Sequence, residues 1–155
     1  MKTAKIDEID RRILRELSTD GRLSIQELSD RVGLSPSPCS RRVKLLEESG
    51  VIGGYAALVD ERQVGFPVSV FVSVKLGQQV DDALKKFETA IASYPEVVDC
   101  WLMTGGRDYL LRVATSDLIE FEQFLTGKLT KVEGVSSIES AIPLRRVKTG
   151  NSRSV

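Results

Sequence analysis

The spacing of the apolar residues changes along this chain, and the change limits the folds that it can adopt. Near the N-terminus, Ile9, Ile13 and Leu17 recur at the three-to-four-residue interval of an amphipathic helix. From Val68 to Leu76 every second residue is apolar, as in a β-strand with one buried face. A helical first part and a mixed second part predict an α+β fold made of two units.

Local signals divide the N-terminal part into three helices. Ser24 and Glu27 form the pattern of a capping box at the start of the second helix, which Gly33 ends. Ser35 and Pro36 then match the N-cap and first-turn preferences of a third helix. A short helix, a turn containing glycine and another helix form the helix-turn-helix pattern.

The C-terminal part alternates between the two periods. Strand patterns cover residues 68–76, 97–104, 108–115 and 135–142, and helical patterns fill the two long intervals. The order β-α-β-β-α-β is that of a ferredoxin-like domain. We therefore predict a helix-turn-helix DNA-binding domain at residues 1–53, a linker strand and hinge at residues 54–66, and a ferredoxin-like βαββαβ sandwich domain at residues 67–155.

Composition excludes several classes of function. The 155 residues include 22 basic and 22 acidic side chains and no His. Without His, Ser-His-Asp catalysis and His-containing zinc sites are excluded, and Cys39 and Cys100 lie too far apart for a CxxC pair. We expect no metal, no cofactor and two buried thiols. With neither a signal peptide nor a membrane-spanning segment, the chain is predicted to be cytoplasmic and without a membrane partner.

The third helix has a face suited to DNA. At about 100° per residue, Cys39, Val43 and Leu46 point towards the core, while polar and basic side chains point away from it. Residues 31–44 contain four basic and no acidic residues. A solvated helix face also explains such charge, but the helix-turn-helix spacing favours double-stranded DNA. The predicted DNA-binding residues are Arg22, Ser35, Ser37, Ser40, Arg41, Arg42 and Lys44, with Arg22 and Arg42 on phosphates.

Several stretches of the chain resemble the Lrp/AsnC family, the leucine-responsive and asparagine-responsive transcription regulators of bacteria and archaea. They are IDEIDRRIL at residues 6–14, DGRLS at 20–24, RVGLSPSPC at 31–39 and TGGRDYLL at 104–111. The resemblance spans residues 6–148. It implies an N-terminal DNA-binding domain, a C-terminal domain at residues 67–155 for effector sensing and oligomerisation, with an amino acid as the effector, and dimers that often assemble into octamers in the prokaryotic nucleoid.

The turn at Gly105 and Gly106 has two interpretations. Hairpins often need glycine simply for a positive φ. Glycine also lets a ligand approach bare backbone amides, which can bind a carboxylate; Asp108 can then take an ammonium group, and Arg107 can assist. These groups fit an α-amino acid. The predicted effector residues are Met103, Thr104, Gly105, Gly106, Arg107, Asp108, Ala141 and Ile142, and the resemblance implies that they meet across a subunit boundary.

The second and third strands carry large apolar residues on both faces. Trp101 and Met103 alternate with Cys100 and Leu102. With both helices on one face of the sheet, the other face stays bare, and an apolar patch of this size is unusual in a monomer. We therefore expect a homodimer with two-fold symmetry, and we interpret Trp101 as an interface residue rather than as a lid over a ligand.

Two other functions are alternatives to an effector-responsive regulator. An enzyme needs a convergent acid, base or nucleophile, but Asp99 and Asp108 have no His or Lys partner at motif spacing. The chain is therefore predicted not to be an enzyme. The remaining alternative is an amino-acid-binding domain that acts on a protein partner rather than on DNA.

Overall fold

A computed structural model describes residues 6–78 and 80–148 of the chain. The chain divides into two compact units between Ala57 and Leu58, with Val147 and Lys148 grouped with the first unit. The predicted sensing domain at residues 67–155 therefore extends beyond the described residues. Each unit has its own apolar core, and the two are described separately.

The N-terminal unit is the predicted three-helix domain. Its helices are α1 (Glu8–Thr19), α2 (Ile25–Val32) and α3 (Pro36–Glu48). Capping boxes start both α1 and α2, at Asp7 and at Ser24, because these side chains accept the backbone N–H groups that a first helical turn leaves unpaired. Gly33 ends α2 with a φ of +73°, which favours glycine. The buried core residues are Ile13, Leu14, Leu28, Val32, Cys39, Val43 and Leu46.

The C-terminal unit is an α+β domain with one antiparallel sheet. Its elements are β1 (Val68–Leu76), α4 (Asp81–Ala92), β2 (Val97–Leu102), β3 (Tyr109–Thr115), α5 (Leu118–Gly127), a 3₁₀ turn (Leu129–Lys131) and β4 (Val135–Ala141). The strand order is β2-β3-β1-β4, which places β1 and β3 in the centre. The predicted ferredoxin-like order of elements is therefore confirmed.

Both helices of this unit cover the same face of the sheet. Phe87 of α4 and Phe124 of α5 pack with Val72 of β1 and Leu111 of β3 in one buried cluster. Because strand side chains alternate between faces, the intervening residues, including Phe71, lie on the opposite, open face of the sheet. That open face is the one that the second subunit of the predicted dimer would cover.

The predicted linker strand is not assigned in the single chain: residues 53–60 carry no secondary structure and residues 61–65 form turns. Because an extended segment becomes a strand only beside a pairing neighbour, the linker strand stays a prediction. The prediction of two buried thiols is wrong. Cys39 is buried as expected, but Cys100 is exposed, because β2 is an edge strand rather than a central one.

Candidate DNA-binding and effector sites

The third helix presents the predicted polar face to solvent. Cys39, Val43 and Leu46 are buried on one side of α3. Pro36 occupies the first turn, and Ser35 takes the N-cap position without a side-chain hydrogen bond to the helix. The exposed residues of the predicted set are Arg22, Ser35, Ser37, Ser40, Arg41 and Lys44. Burial of one side of α3 therefore determines which of its side chains are exposed and can reach a DNA groove.

Arg42, on the flank of α3, forms ion pairs within the helical unit. Its Nη1 donates to Asp7 Oδ2 at 2.7 Å and to Asp10 Oδ1 at 2.8 Å, the two residues that form the capping box of α1. Hydrogen bonds to Asp10 and then Asp7 raise the pKa of Arg42. The backbone hydrogen bond from Asp10, followed by the contact with Arg42, lowers the pKa of Asp7. Arg42 therefore joins α3 to α1, and its contact with a DNA phosphate stays a prediction.

The turn between β2 and β3 is held by backbone and side-chain bonds. Gly105 has a φ of +106°, a conformation that side chains other than glycine rarely adopt. The Asp108 side chain turns inward: the residue is buried, and Oδ2 accepts the Leu76 N–H at 2.6 Å. The backbone N–H of Asp108 donates to Val74 O at 2.9 Å. Asp108 thus ties the turn to β1 in the single chain.

Arg107 links the same turn to the far edge of the sheet. Its Nη1 donates to Ser137 Oγ and its Nη2 to Glu139 Oε2, each at 2.7 Å. Ser137 and Glu139 belong to β4 and were not predicted as site residues. An alternating strand pattern shows that both share a face. The register of β4 against β1 brings them to Arg107, and this register depends on residues far apart in the sequence.

Ala141 and Ile142 lie away from the turn within one chain. Ala141 pairs with Phe71, whereas Ser137 pairs with Lys75 near the turn. Four residues at about 3.3 Å each separate these positions along β4, roughly 13 Å. Met103, Thr104 and both glycines of the turn are exposed. The single chain therefore collects the turn residues with Ser137 and Glu139, and not with the late strand.

A separate groove of about 310 Å³ lies between α4 and the edge strand β2. Tyr109 donates its hydroxyl hydrogen to Glu88 Oε1 at 2.8 Å beside it, and the buried phenol has a raised pKa because of desolvation and this bond. Cys100 lines the same groove; partial burial of its thiol, and then the charge of Glu88, raise its pKa to about 11. This thiol is therefore protonated and unreactive at neutral pH.

Two classes of site are missing from the described residues. Among residues 6–78 and 80–148, no group of three or more His, Cys, Asp or Glu side chains is placed to hold a metal ion. In the same part of the chain, no helix is long and apolar enough to cross a membrane.

Comparisons with known proteins agree with both units. Residues 6–52 match the family model for winged helix-turn-helix DNA-binding domains, and residues 69–152 match that for the Lrp/AsnC ligand binding domain. The chain is 48% identical over 144 residues to the Bkd operon transcriptional regulator of Pseudomonas aeruginosa, covering 93% of this chain and 94% of that protein. It is 39% identical to the leucine-responsive regulatory protein of Escherichia coli K12, covering 94% and 89%.

Solved structures show the same architecture. A transcriptional regulator from Neisseria meningitidis, in complex with L-Met, superposes with a TM-score of 0.90 at 37% identity over 95% of both chains. An AsnC family regulator from Agrobacterium tumefaciens gives a TM-score of 0.88 at 37% identity, also over 95% of both. These relatives are transcriptional regulators, which confirms the prediction that the chain is not an enzyme. The chain belongs to the Lrp/AsnC family of transcriptional regulators, with a DNA-binding helix-turn-helix unit and a ligand-binding unit.

Proposed function

We propose that this regulator reads a specific operator sequence through the exposed face of α3. The observation that carries the proposal is the polar set Ser37, Ser40, Arg41 and Lys44, all exposed opposite a buried apolar stripe on the same helix. Arg binds guanine bidentately, Ser contacts bases or phosphates, and Lys meets phosphates. In this assignment Arg41 reads a base and Lys44 contacts the backbone.

The test is fluorescence anisotropy with DNA from upstream of the protein's own gene. Arg41→Ala is expected to cost about 1–3 kcal/mol on the operator and to relax preference at one base pair, whereas Lys44→Ala weakens all sequences evenly. Lys85→Ala, an exposed lysine on α4, is the matched control and leaves binding unchanged. Unchanged binding by both α3 variants would refute the assignment and favour an amino-acid-binding unit that acts on a protein.

A second subunit covers the open face of the sheet in this proposal. Trp101 is 44% exposed there, and Leu110 and Phe71 of the central strands lie on the same face, half-buried. Two such faces related by a two-fold axis bury each other's apolar groups and present two α3 helices to a palindromic operator. Octamers built from such dimers remain an expectation from the family. Sedimentation equilibrium tests the dimer, and a stable monomer at micromolar concentration would refute it.

The effector is an amino acid bound at the turn between β2 and β3. Arg107 and Glu139 place a guanidinium and a carboxylate 2.7 Å apart, partly exposed, beside the bare amides of Gly105 and Gly106. An exposed ion pair of this kind contributes little to the stability of the fold, so a bound amino acid can replace it. The carboxylate of the amino acid then binds Arg107 and the backbone amides, and its ammonium group binds Glu139. The L-Met complex of the meningococcal relative supports an amino-acid ligand. The buried position of Asp108 favours Glu139 for the ammonium.

Thermal shift with each of the twenty amino acids tests this site. We expect one or a few of them, with Met as the first candidate, to raise the melting temperature. Glu139→Gln is expected to lower the affinity for that amino acid at least about tenfold, because it removes one charge-assisted hydrogen bond. Glu133→Gln, an exposed acid paired with Lys86, is the control with an unchanged response. A wild-type response retained in Glu139→Gln would refute the assignment of Glu139.

A further inference from the structure

The linker is fastened to the open face of the sheet by an ion-pair network. Arg112 of β3 binds both oxygens of Glu61 through Nη1, at 3.0 and 2.9 Å, and Asp99 of β2 through Nε at 2.8 Å. Asp99 is the register partner of Arg112 across the strands, so the sheet itself fixes this pair. The planar guanidinium thereby holds one carboxylate of the sheet and one of the linker.

Glu61 also begins a folded turn. The Phe66 N–H donates to Glu61 O at 2.8 Å, and the Gln63 N–H donates to Asp60 O at 3.0 Å. The Arg112 side chain is only 24% exposed and that of Glu61 33%. This ion pair is therefore better shielded from solvent than those described pairs of the unit in which both side chains are exposed. The linker is thus attached to the sheet seven residues before β1 begins.

The other end of the linker is fastened to the helical unit. The Tyr55 ring lies 3.4 Å from the position that a Cβ on Gly21 would occupy, and its hydroxyl donates to Glu47 Oε1 at 3.0 Å. Ile52 packs on the core of the same unit, and its N–H donates to Leu46 O. Only residues 56–60 lie between the last contact of the helical unit and Glu61.

The two attachment points set the reach of the tether between the units. Six steps from Tyr55 to Glu61 span at most roughly 20 Å at 3.3–3.6 Å per residue. Beyond the Arg112 network, the ladder of the sheet begins at Val68, thirteen steps from Tyr55 and at most roughly 45 Å away when the turn after Glu61 opens. The network therefore roughly halves the maximum length of the tether.

We propose that Arg112 is a positioning residue that, by holding Glu61, restricts the half-site spacings which the regulator accepts on its operator. The proposal rests on the proposed function, in which two DNA-binding units of one dimer act on one palindrome. A short tether lowers the affinity of the dimer for operators whose half-sites are too far apart or rotated around the DNA helix axis. A longer tether tolerates them, and it also lowers the effective concentration of the second unit at its half-site.

The experiment compares full-length wild-type protein with Glu61→Ala on a set of DNA duplexes. Each duplex carries two half-sites separated by the natural spacer with zero, five or ten added base pairs, and a further duplex carries one half-site. Glu61→Ala removes the linker from the network and leaves the Arg112–Asp99 pair of the sheet intact. Gln63→Ala, in the same exposed turn, is the matched control.

Glu61→Ala is expected to bind the natural spacing about threefold more weakly, because effective concentration falls as roughly the −3/2 power of tether length. Its affinity for one half-site is expected to be unchanged. The loss of affinity on adding five base pairs should be smaller than in wild type, and amide exchange of residues 63–66 should be faster. A merely structural network would change exchange and stability but not the spacing dependence.

Two failures are distinguishable. Wild-type protein that binds two half-sites no more tightly than one would refute the proposed dimeric operator recognition, and the spacing role of Arg112 with it. If the affinity of wild-type protein depends on the spacing and that of Glu61→Ala depends on it equally, only the role of the Arg112 network is overturned. Arg112→Lys provides a conservative check: a single ammonium cannot keep the bidentate geometry, so this variant is expected to fall between wild type and Glu61→Ala.

Discussion

Replacing Asp108 separates a structural role in the turn from a direct role in binding the effector. The carboxylate accepts the Leu76 N–H at 2.6 Å, and both residues are buried, at 5% and 2% exposure. Asp108→Ala leaves that N–H without its acceptor, which costs about 1–3 kcal/mol of unfolding free energy. In a domain of this size each kcal/mol lowers the melting temperature by roughly 4–8 °C, so we expect a fall of at least about 4 °C.

Asp108→Asn is the informative partner of this variant. The amide oxygen of Asn can accept the same N–H in nearly the same place, so Asp108→Asn is expected to keep most of the stability and of the amino-acid response. Thermal unfolding of the full-length protein, with and without the responsive amino acid, measures both. Wild-type stability in Asp108→Ala would refute the structural role. Wild-type stability in Asp108→Asn with a lost response would instead show that the charge of Asp108 binds the effector ammonium.

Three further predictions concern other parts of the chain. Arg42→Met should weaken operator binding without changing the slope of log affinity against log salt, because Arg42 holds α1; a slope lower by about one would show a phosphate contact. Maleimide labelling of Cys100 should keep accelerating up to about pH 11, whereas a plateau near pH 9 would show an ordinary thiol. Gly33→Ala should destabilise the helical unit by about 1–2 kcal/mol in urea unfolding, because φ is +73° there, and an unchanged midpoint would contradict this strain.

Features set by a few neighbouring residues were predictable from the sequence. The Ser24–Glu27 capping box and the left-handed Gly33 both appear in the structure where the sequence indicates them. Each depends on side chains within three or four positions of one another. The buried stripe of α3 was predictable for the same reason, because helical periodicity alone determines which residues share a face.

Features that depend on distant pairing were not predictable in this way. The position of Arg42 depends on how α1 crosses α3, and that of Arg107 on the register of β4 against β1. Asp108 turns inward where the β1–β3 ladder ends at the Val74–Tyr109 pair, and its carboxylate accepts the Leu76 N–H just beyond that end. The predicted linker strand likewise depends on a pairing neighbour, which local sequence does not specify.

Binding of the full-length protein to DNA upstream of its own gene, measured with and without amino acids, tests the central claim most directly. Titration against that DNA and against a shuffled duplex of the same composition, at one stated salt concentration, gives the specificity ratio. We expect binding at least about 10³-fold tighter to the natural sequence, and a reproducible change in that affinity with at least one amino acid. Equal affinity for both duplexes, unaffected by all twenty amino acids, would contradict the account.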